Sequence, residues 1–295
     1  MLPNFLIAGA EKAGTTWLYD ALVRHPDIFL PDVKEVHFFN RFDSNLREID
    51  NFARRGLPFY ETHFEDYAGQ SAIGEATPMY LCDPEAPQRI RDTLPEAKIV
   101  LSLRNPVSRT YSHYRMGLAK KHFDIPLDQA IAEDDARLIQ RSRYAGQVTR
   151  YFELFPREQV HVLFFEELIA DPEPHLAALL RFLGVDDSLA AELAQTDKSN
   201  AAATYRSAGV YNAGVGLARA LRNNPLTSGL AKTLKNAGVY DRIKGMNRKE
   251  EAYAPLSEAD RAALVAAFRD DVGRLEGVLH RAVPWKDFAA LPEGV

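Results

Sequence analysis

A short segment near the start of the chain has the glycine spacing of a phosphate-binding loop but carries its lysine in an unusual place. The nucleoside-triphosphate loop has Gly, four residues, Gly, Lys and then Ser or Thr. Gly9 and Gly14 keep that spacing, but Thr15 and Thr16 follow and the lysine is Lys12. Loop amides and the positive end of the following helix attract anions. The segment predicts an anion site rather than a plain strand-to-helix turn, with Lys12 able to reach a bridging or leaving oxygen.

A second group that can bind an oxyanion lies in the motif LRNPVSRTYSHY. A nucleoside triphosphatase ends its second strand in an Asp that holds Mg²⁺, whereas this apolar run ends in Arg104, which suits a planar oxyanion. Pro106 begins a helix that carries Ser112 on its second turn, where the hydroxyl can join Arg104 on one phosphate. Taken singly, the two residues fit a strand-end ion pair and a helix-surface serine. Together with the glycine loop, they predict two anion sites and no metal site.

The segment VKEVHFFN contains the candidates for acid–base chemistry. If residues 33–39 are extended, Glu35 and His37 point to the same side and Lys34 points to the other, because side chains alternate along a strand. A carboxylate beside an imidazole can take a proton from a substrate. The alternative is a surface glutamate beside a half-buried histidine.

The elements that must position these residues follow from apolar runs and helical periodicity. Strands are predicted at Asn4–Ala8, Ala72–Glu75, Ala97–Leu103 and Val160–Phe165. Helices are predicted over Thr15–Arg24, from Pro106 onward, twice within Leu127–Phe155, over Pro172–Leu183 and over Ser257–His280. Helices that separate buried strands imply an α/β, P-loop-like three-layer fold, with a central parallel sheet flanked by helices. We expect a single domain over residues 1–295, in which residues 205–250 form a helical basic segment near the site.

Composition limits the partners. The 295 residues are 46% hydrophobic and 26% charged, which is typical of a soluble globular protein. A net charge of −5 argues against a nucleic-acid binder. Residues 205–250 hold nine Lys/Arg and two acids, which fits either a solvated surface or a neighbour of an anionic ligand. Cys82 is the only cysteine, so an intramolecular disulfide is impossible. We read neither a membrane span nor a signal peptide, and expect a cytoplasmic location.

Six motifs in order carry a family resemblance: GAEKAGTTWL, KEVHFFN, GEATPMYL, LRNPVSRTYSHY, VHVLFFEELIADP and NRKEEAYAPL. In these the chain resembles the sulfotransferases that use 3′-phosphoadenosine 5′-phosphosulfate (PAPS). Within them it is most similar to the branch with heparan sulfate N- and O-sulfotransferases and their bacterial relatives. The resemblance implies an enzyme with PAPS as donor, adenosine 3′,5′-bisphosphate as product and no required metal. The C-terminal disulfide found in many heparan-type members cannot form here, which points to a bacterial enzyme.

The resemblance also implies site residues. The 5′-phosphosulfate would be held by Lys12, Ala13, Gly14, Thr15, Thr16 and Trp17. Arg104 and Ser112 would hold the 3′-phosphate, and the segment with Arg248 and Lys249 would close over the nucleotide. Lys12 would stabilise the leaving phosphate. Glu35 would be the catalytic base with His37 as its partner, although a histidine is the base in the cytosolic branch, which keeps His37 as a rival.

The acceptor is expected to be a hydroxyl of a sugar or small molecule. Glycan-modifying members often have Lys where this chain has Ala76, which favours a different acceptor. Two other functions remain open: a P-loop small-molecule kinase or NTPase, which would consume ATP with Mg²⁺, and a non-catalytic nucleotide-binding module, which would bind the bisphosphate and transfer nothing.

Overall fold

The computed structural model describes residues 1–120, 122–123, 125–195 and 255–289, and the backbone of 204–205 and 248–249. Two units are distinguished, Met1–Ser199 with Leu256–Val295, and Asn200–Pro255. In the second, strands Thr204–Tyr205 (β6) and Arg248–Lys249 (β7) pair antiparallel. The rest of the predicted helical segment at 205–250 lies outside the described residues, and the single domain over 1–295 stays a prediction.

The first unit contains five strands and ten helices among the residues described. The strands are β1 Phe5–Gly9, β2 Ile28–Phe29, β3 Ala72–Ala76, β4 Lys98–Leu103 and β5 Val160–Phe164. The helices are α1 Thr15–Leu22, α2 Asn51–Glu61, α3 Ala86–Thr93, α4 Pro106–Ala119, α5 Leu127–Ala132, α6 Ala145–Leu154, α7 Phe165–Ala170, α8 Pro172–Leu183, α9 Ala190–Leu193 and α10 Glu258–Leu279. Short 3₁₀ turns lie at Thr62–Phe64, Pro78–Tyr80, Gln140–Ser142, Arg157–Gln159, Asp187–Leu189 and Lys286–Phe288.

The five strands form one parallel sheet in the order β2-β3-β1-β4-β5. Phe5 of β1 lies opposite Gly74 of β3 on one side and Lys98 of β4 on the other. Because all strands run the same way, their carboxyl ends share one edge of the sheet, the usual place for a ligand site in such folds. The segments after β1, β3, β4 and β5 therefore meet there.

Each face of the sheet is covered. Alternating residues of β1 enter opposite cores: Leu6 and Ala8 belong to one buried cluster, and Phe5 and Ile7 to the other. The first cluster contains aromatic residues of the 33–64 region, α6 and α10, whereas the second contains the apolar faces of α1 and α8. The predicted three-layer α/β fold with a central parallel sheet is confirmed.

Most predicted elements agree with the structure to within a residue or two. α8 has the predicted bounds, and α10 begins after Ser257, whose hydroxyl accepts the Asp260 amide as an N-cap. α1 ends at Leu22 rather than at the predicted Arg24. The sequence analysis missed β2, α2, α3, α7 and α9. β2 has only two residues, and α2 contains Gly56 and Pro58, which disguise a helical pattern.

Candidate active site

The phosphate loop follows β1 and is tied to β4 by hydrogen bonds. The Ala10 amide donates to the Ser102 carbonyl at 2.7 Å, and the Ser102 hydroxyl donates to the Ala13 carbonyl at 2.6 Å. Gly14 then begins α1 as its N-cap, with φ 80°. A Cβ at Gly14 would lie 2.7 Å from Cδ2 of Phe165, so both the backbone conformation and the space require glycine.

The first turn of α1 begins directly after the loop. The amides of Thr15 and Thr16 lie in this turn, whose N–H groups point away from the helix, and Gly14 supplies no side-chain cap. The positive end of the helix dipole adds to these donors. The binding of an anion at this turn stays a prediction.

Two arginines hold consecutive carbonyls of the loop. Arg104, which directly follows β4, donates through Nη1 to the Lys12 carbonyl at 3.0 Å. Arg109 on α4 donates through Nε to the Glu11 carbonyl at 3.1 Å. With both carbonyls turned toward β4 and α4, the backbone of the loop is fixed. The sequence analysis missed Arg109, although it lies in the motif that was quoted for Arg104.

Arg104 lies against the loop rather than at a separate place. Its guanidinium carbon is 4.8 Å from the centre of the Phe165 ring. Burial lowers the pKa of Arg104. Its Nε is buried and has no hydrogen-bond partner among the described residues. Ser112 is half-buried further along α4, and its joint role with Arg104 stays a prediction.

Behind the loop, Glu11 is surrounded by one histidine and two arginines. Its Oε2 lies 3.2 Å from His113 Nδ1, 3.4 Å from Arg109 Nη2 and 3.8 Å from Arg141 Nη1. Burial acts to raise the pKa of Glu11, but these neighbours outweigh it and the net pKa is lowered. Burial lowers the pKa of His113 to about 4, so the imidazole is neutral at pH 7. The cluster anchors the loop from its inner side.

Lys12 projects from the loop with φ 69°. Its Nζ lies 3.6 Å from Sδ of Met116 on α4. Burial lowers the pKa of Lys12, and the nearby charges of Lys120 and Arg104 lower it further against the opposing effect of Glu11. A partly desolvated ammonium with a weak sulfur partner gains more from an anionic ligand than a fully hydrated one.

The segment with Glu35 and His37 is not extended, and that prediction was wrong. Both residues have left-handed backbone angles, with φ 63° at Glu35 and 53° at His37, so strand alternation does not apply. The two side chains nevertheless meet, with Glu35 Oε2 3.7 Å from His37 Nε2. Lys34, which was expected to point away, lies with its Nζ 3.4 Å from Glu35 Oε1. Two left-handed turns, rather than a strand, bring these side chains together.

Glu35 and His37 shift each other's pKa. Burial acts to raise the pKa of Glu35, but the neighbouring His37 imidazole and the charge of Lys34 outweigh it and lower the pKa. Burial acts to lower the pKa of His37, but Glu35 and Asn40 outweigh it and raise the pKa. Glu35 therefore stays ionised at neutral pH, and its side chain is 41% exposed toward solvent.

One ammonium group connects the anion cradle with this pair. Besides its contact with Glu35, Lys34 Nζ donates to Thr16 Oγ1 at 2.6 Å. The cradle and the Glu35–His37 pair therefore belong to a single site at the carboxyl edge of the sheet.

The side chains of Arg248 and Lys249 lie outside the described residues. Among the residues that are described, no group of three or more His, Cys, Asp or Glu is arranged to hold a metal ion. In the same part of the chain, no helix is long and apolar enough to cross a bilayer.

Comparison with known proteins relates this chain to one family. A family model described as the sulfotransferase domain matches residues 2–210. The chain is similar to the crystal structure of a sulfotransferase from Alicyclobacillus acidocaldarius, with a TM-score of 0.69 and 28% identity over 96% of this chain and 98% of that one.

Two curated relatives match over shorter regions. The membrane-associated sulfotransferase kil1 of Dictyostelium discoideum is 38% identical over 43% of this chain and 26% of its own length. Human heparan sulfate glucosamine 3-O-sulfotransferase 5 is 29% identical over 62% of this chain and 54% of its own. The chain thus spans about a quarter to about half of the length of these relatives.

Proposed function

The chain belongs to the sulfotransferase domain family, and we propose that it moves a sulfuryl group from PAPS to an acceptor hydroxyl. The observation that carries the proposal is the position of Lys34 Nζ, which contacts both Thr16 of the anion cradle and Glu35. A cradle for the donor and a base for the acceptor are therefore close enough to act on one reacting group. In-line transfer requires this proximity.

The donor side fits an anionic nucleotide. The amides at the start of α1, the Thr15 and Thr16 hydroxyls and the Lys12 ammonium would hold the 5′-phosphosulfate, with Ala13, Gly14 and Trp17 completing the cradle. Arg104, with its free Nε, and Ser112 would hold the 3′-phosphate. Arg248 and Lys249 are proposed to close over the nucleotide. PAPS supplies the sulfuryl group, and the bisphosphate is the leaving product.

On the acceptor side, Glu35 is proposed as the base. Its carboxylate is ionised and reaches solvent, whereas the imidazole of His37 is turned toward Glu35 and its pKa is raised. His37 therefore suits orientation of the carboxylate better than proton abstraction. As the acceptor oxygen bonds to sulfur and the bond from sulfur to the phosphate oxygen breaks, Glu35 takes the acceptor proton. Lys12 stabilises the charge that develops on the leaving oxygen.

The acceptor is proposed to be a sugar or another small molecule with a free hydroxyl. The name of one relative, heparan sulfate glucosamine 3-O-sulfotransferase 5, supports a sugar. The kinase alternative is disfavoured because the residue after β4 is Arg104, whose charge repels a divalent cation where a kinase of this fold needs an acid.

The deciding experiment is transfer of labelled sulfate from PAPS into a metabolite extract, with identification of the labelled product by mass. Thermal shifts with adenosine 3′,5′-bisphosphate, AMP and ATP test the donor site separately, because a ligand that binds the folded state raises its apparent stability. We expect the bisphosphate to stabilise most. Greater stabilisation by ATP with Mg²⁺ and no transfer from PAPS would overturn the proposal.

A further inference from the structure

A buried carboxylate lies beneath the segment that carries Glu35 and His37. Glu75, near the end of β3, is fully buried. Its oxygens accept hydrogen bonds from three hydroxyls: Thr77 Oγ1 at 2.6 Å, Tyr80 Oη at 2.6 Å and Tyr60 Oη at 2.9 Å. Burial of a carboxylate and three hydroxyls costs free energy. The proposed reaction does not use Glu75 directly.

Two of these hydroxyls also hold the backbone of the segment above. The His37 amide donates to Thr77 Oγ1 at 3.4 Å, and the Phe38 amide donates to Tyr80 Oη at 3.1 Å. A hydroxyl has a single proton. When Thr77 and Tyr80 give that proton to Glu75, their lone pairs face the two amides. Glu75 thus determines which way both hydroxyls point.

The segment above needs such external support. Glu35 and His37 both adopt left-handed backbone angles, which L residues rarely adopt without compensating contacts. Two further hydrogen bonds hold this segment. The Glu35 amide donates to the Ala76 carbonyl at 3.0 Å, and Asn51 Nδ2 donates to the His37 carbonyl at 3.0 Å. The hydroxyls of Thr77 and Tyr80 provide the bonds to the amides that follow Val36.

We infer that Glu75 is a positioning residue, which orients the Thr77 and Tyr80 hydroxyls so that they hold the turn carrying Glu35 and His37 in its reactive shape. The inference rests on the proposed function, since it assigns a purpose to the geometry of the proposed base. Glu75 does not touch the reacting atoms and acts only through the two hydroxyls.

Tyr60 provides a matched control. Its hydroxyl also donates to Glu75, but no amide of the 33–39 segment donates to it among the described contacts, and its ring stacks on Phe38 with centroids 4.4 Å apart. Tyr60→Phe removes one bond to Glu75 and keeps the ring, whereas Tyr80→Phe removes a bond to Glu75 together with the support of Phe38. The pair separates loss of carboxylate solvation from loss of loop support.

The test compares Glu75→Gln, Tyr80→Phe and Tyr60→Phe by steady-state kinetics with PAPS, calorimetric binding of adenosine 3′,5′-bisphosphate, and NMR of the His37 ring nitrogens. We expect Tyr80→Phe to lower kcat about tenfold, the effect of one lost hydrogen bond, with KM for PAPS and bisphosphate affinity unchanged and the His37 signals shifted. Tyr60→Phe should change kcat less than about twofold and leave the His37 signals in place.

Two results would overturn the inference: equal losses in Tyr60→Phe and Tyr80→Phe, or wild-type kcat and His37 signals in Tyr80→Phe. If Glu75→Gln does not fold, the tyrosine pair still decides. If the wild type transfers nothing from PAPS, the proposed function fails, while the His37 signals of Tyr80→Phe and Tyr60→Phe still decide whether the hydroxyls hold the turn.

Discussion

Lys34 Nζ lies 2.6 Å from Thr16 Oγ1 and so joins the segment of the proposed base to the helix that begins at the anion cradle. The side chain of Lys34 is only 22% exposed, which limits screening of its charge by solvent. Its position makes the charge state of Glu35 sensitive to whatever occupies the cradle. Several measurable consequences arise from this arrangement and from its surroundings.

Replacement of Glu35 should remove turnover and spare the donor site. Glu35→Gln keeps the shape of the side chain but cannot take a proton, so we expect kcat to fall by about 10²–10⁴-fold. Affinity for adenosine 3′,5′-bisphosphate, measured by calorimetry, should stay near that of the wild type. His37→Gln is the matched variant and should cost less. A larger loss in His37→Gln than in Glu35→Gln would make His37 the base, and near-normal activity of Glu35→Gln would rule out its role.

Replacement of Lys12 should affect the transition state more than the bound product. Its ammonium is proposed to act on charge that develops only as the bond from sulfur to oxygen breaks. Lys12→Ala should therefore lower kcat by more than it weakens bisphosphate binding. Single-turnover rates and calorimetry measure the two effects. A uniform loss of binding with unchanged turnover would assign Lys12 to holding phosphate in the ground state.

Loss of the Lys34 charge should move the pH profile of the reaction. Burial acts to raise the pKa of Glu35, and His37 and Lys34 act to lower it. Lys34→Met removes one lowering contribution, so the pKa of Glu35 rises and the acidic limb of kcat/KM moves to higher pH. Lys34→Arg keeps the charge and should leave the limb nearly in place. An unchanged acidic limb in Lys34→Met would show that Glu35 does not titrate in that limb.

Arg109 should matter for stability as well as for the loop. It is 1% exposed, and besides the Glu11 carbonyl it donates to the Leu138 carbonyl and the Ser142 hydroxyl. Arg109→Met removes the donor to the Glu11 carbonyl and a cationic neighbour of the Glu11 carboxylate, so we expect the free energy of unfolding to fall by about 3 kcal/mol in urea denaturation. Arg181, exposed on α8 beside Asp187, is the control, and Arg181→Met should change stability little. Equal effects of the two substitutions would contradict a buried anchoring role.

Local sequence patterns were sufficient to predict much of the fold. β1, the glycine loop and α1 were predicted because apolar runs, glycine spacing and helical periodicity are all local signals. α8 was predicted for the same reason, since its apolar face repeats regularly between Pro172 and Leu183. β2 has two residues and is defined only by its pairing with β3, and no local pattern marks such a strand.

The sequence predicted which residues form the site better than it predicted how they are arranged. Glu35 and His37 do meet, but through left-handed turns whose supports, Thr77 and Tyr80, lie after a different strand. Arg109 was missed because its partner is a backbone carbonyl of the loop. Every residue type has such a carbonyl, so the sequence does not indicate which one accepts the bond. A contact of that kind depends on how α4 packs against the loop, which the sequence of neither segment specifies alone.

The central place of β1 in the sheet has a consequence for how the protein is made. The glycine motif is synthesised before the residues that support it, which are Ser102 in β4, Arg104 directly after β4 and Phe165 after β5. A nascent chain that ends before β4 carries the motif without the groups that shape it. The loop therefore reaches its final shape only after these long-range contacts form, and we expect the proposed nucleotide to stabilise only chains whose synthesis has passed β5.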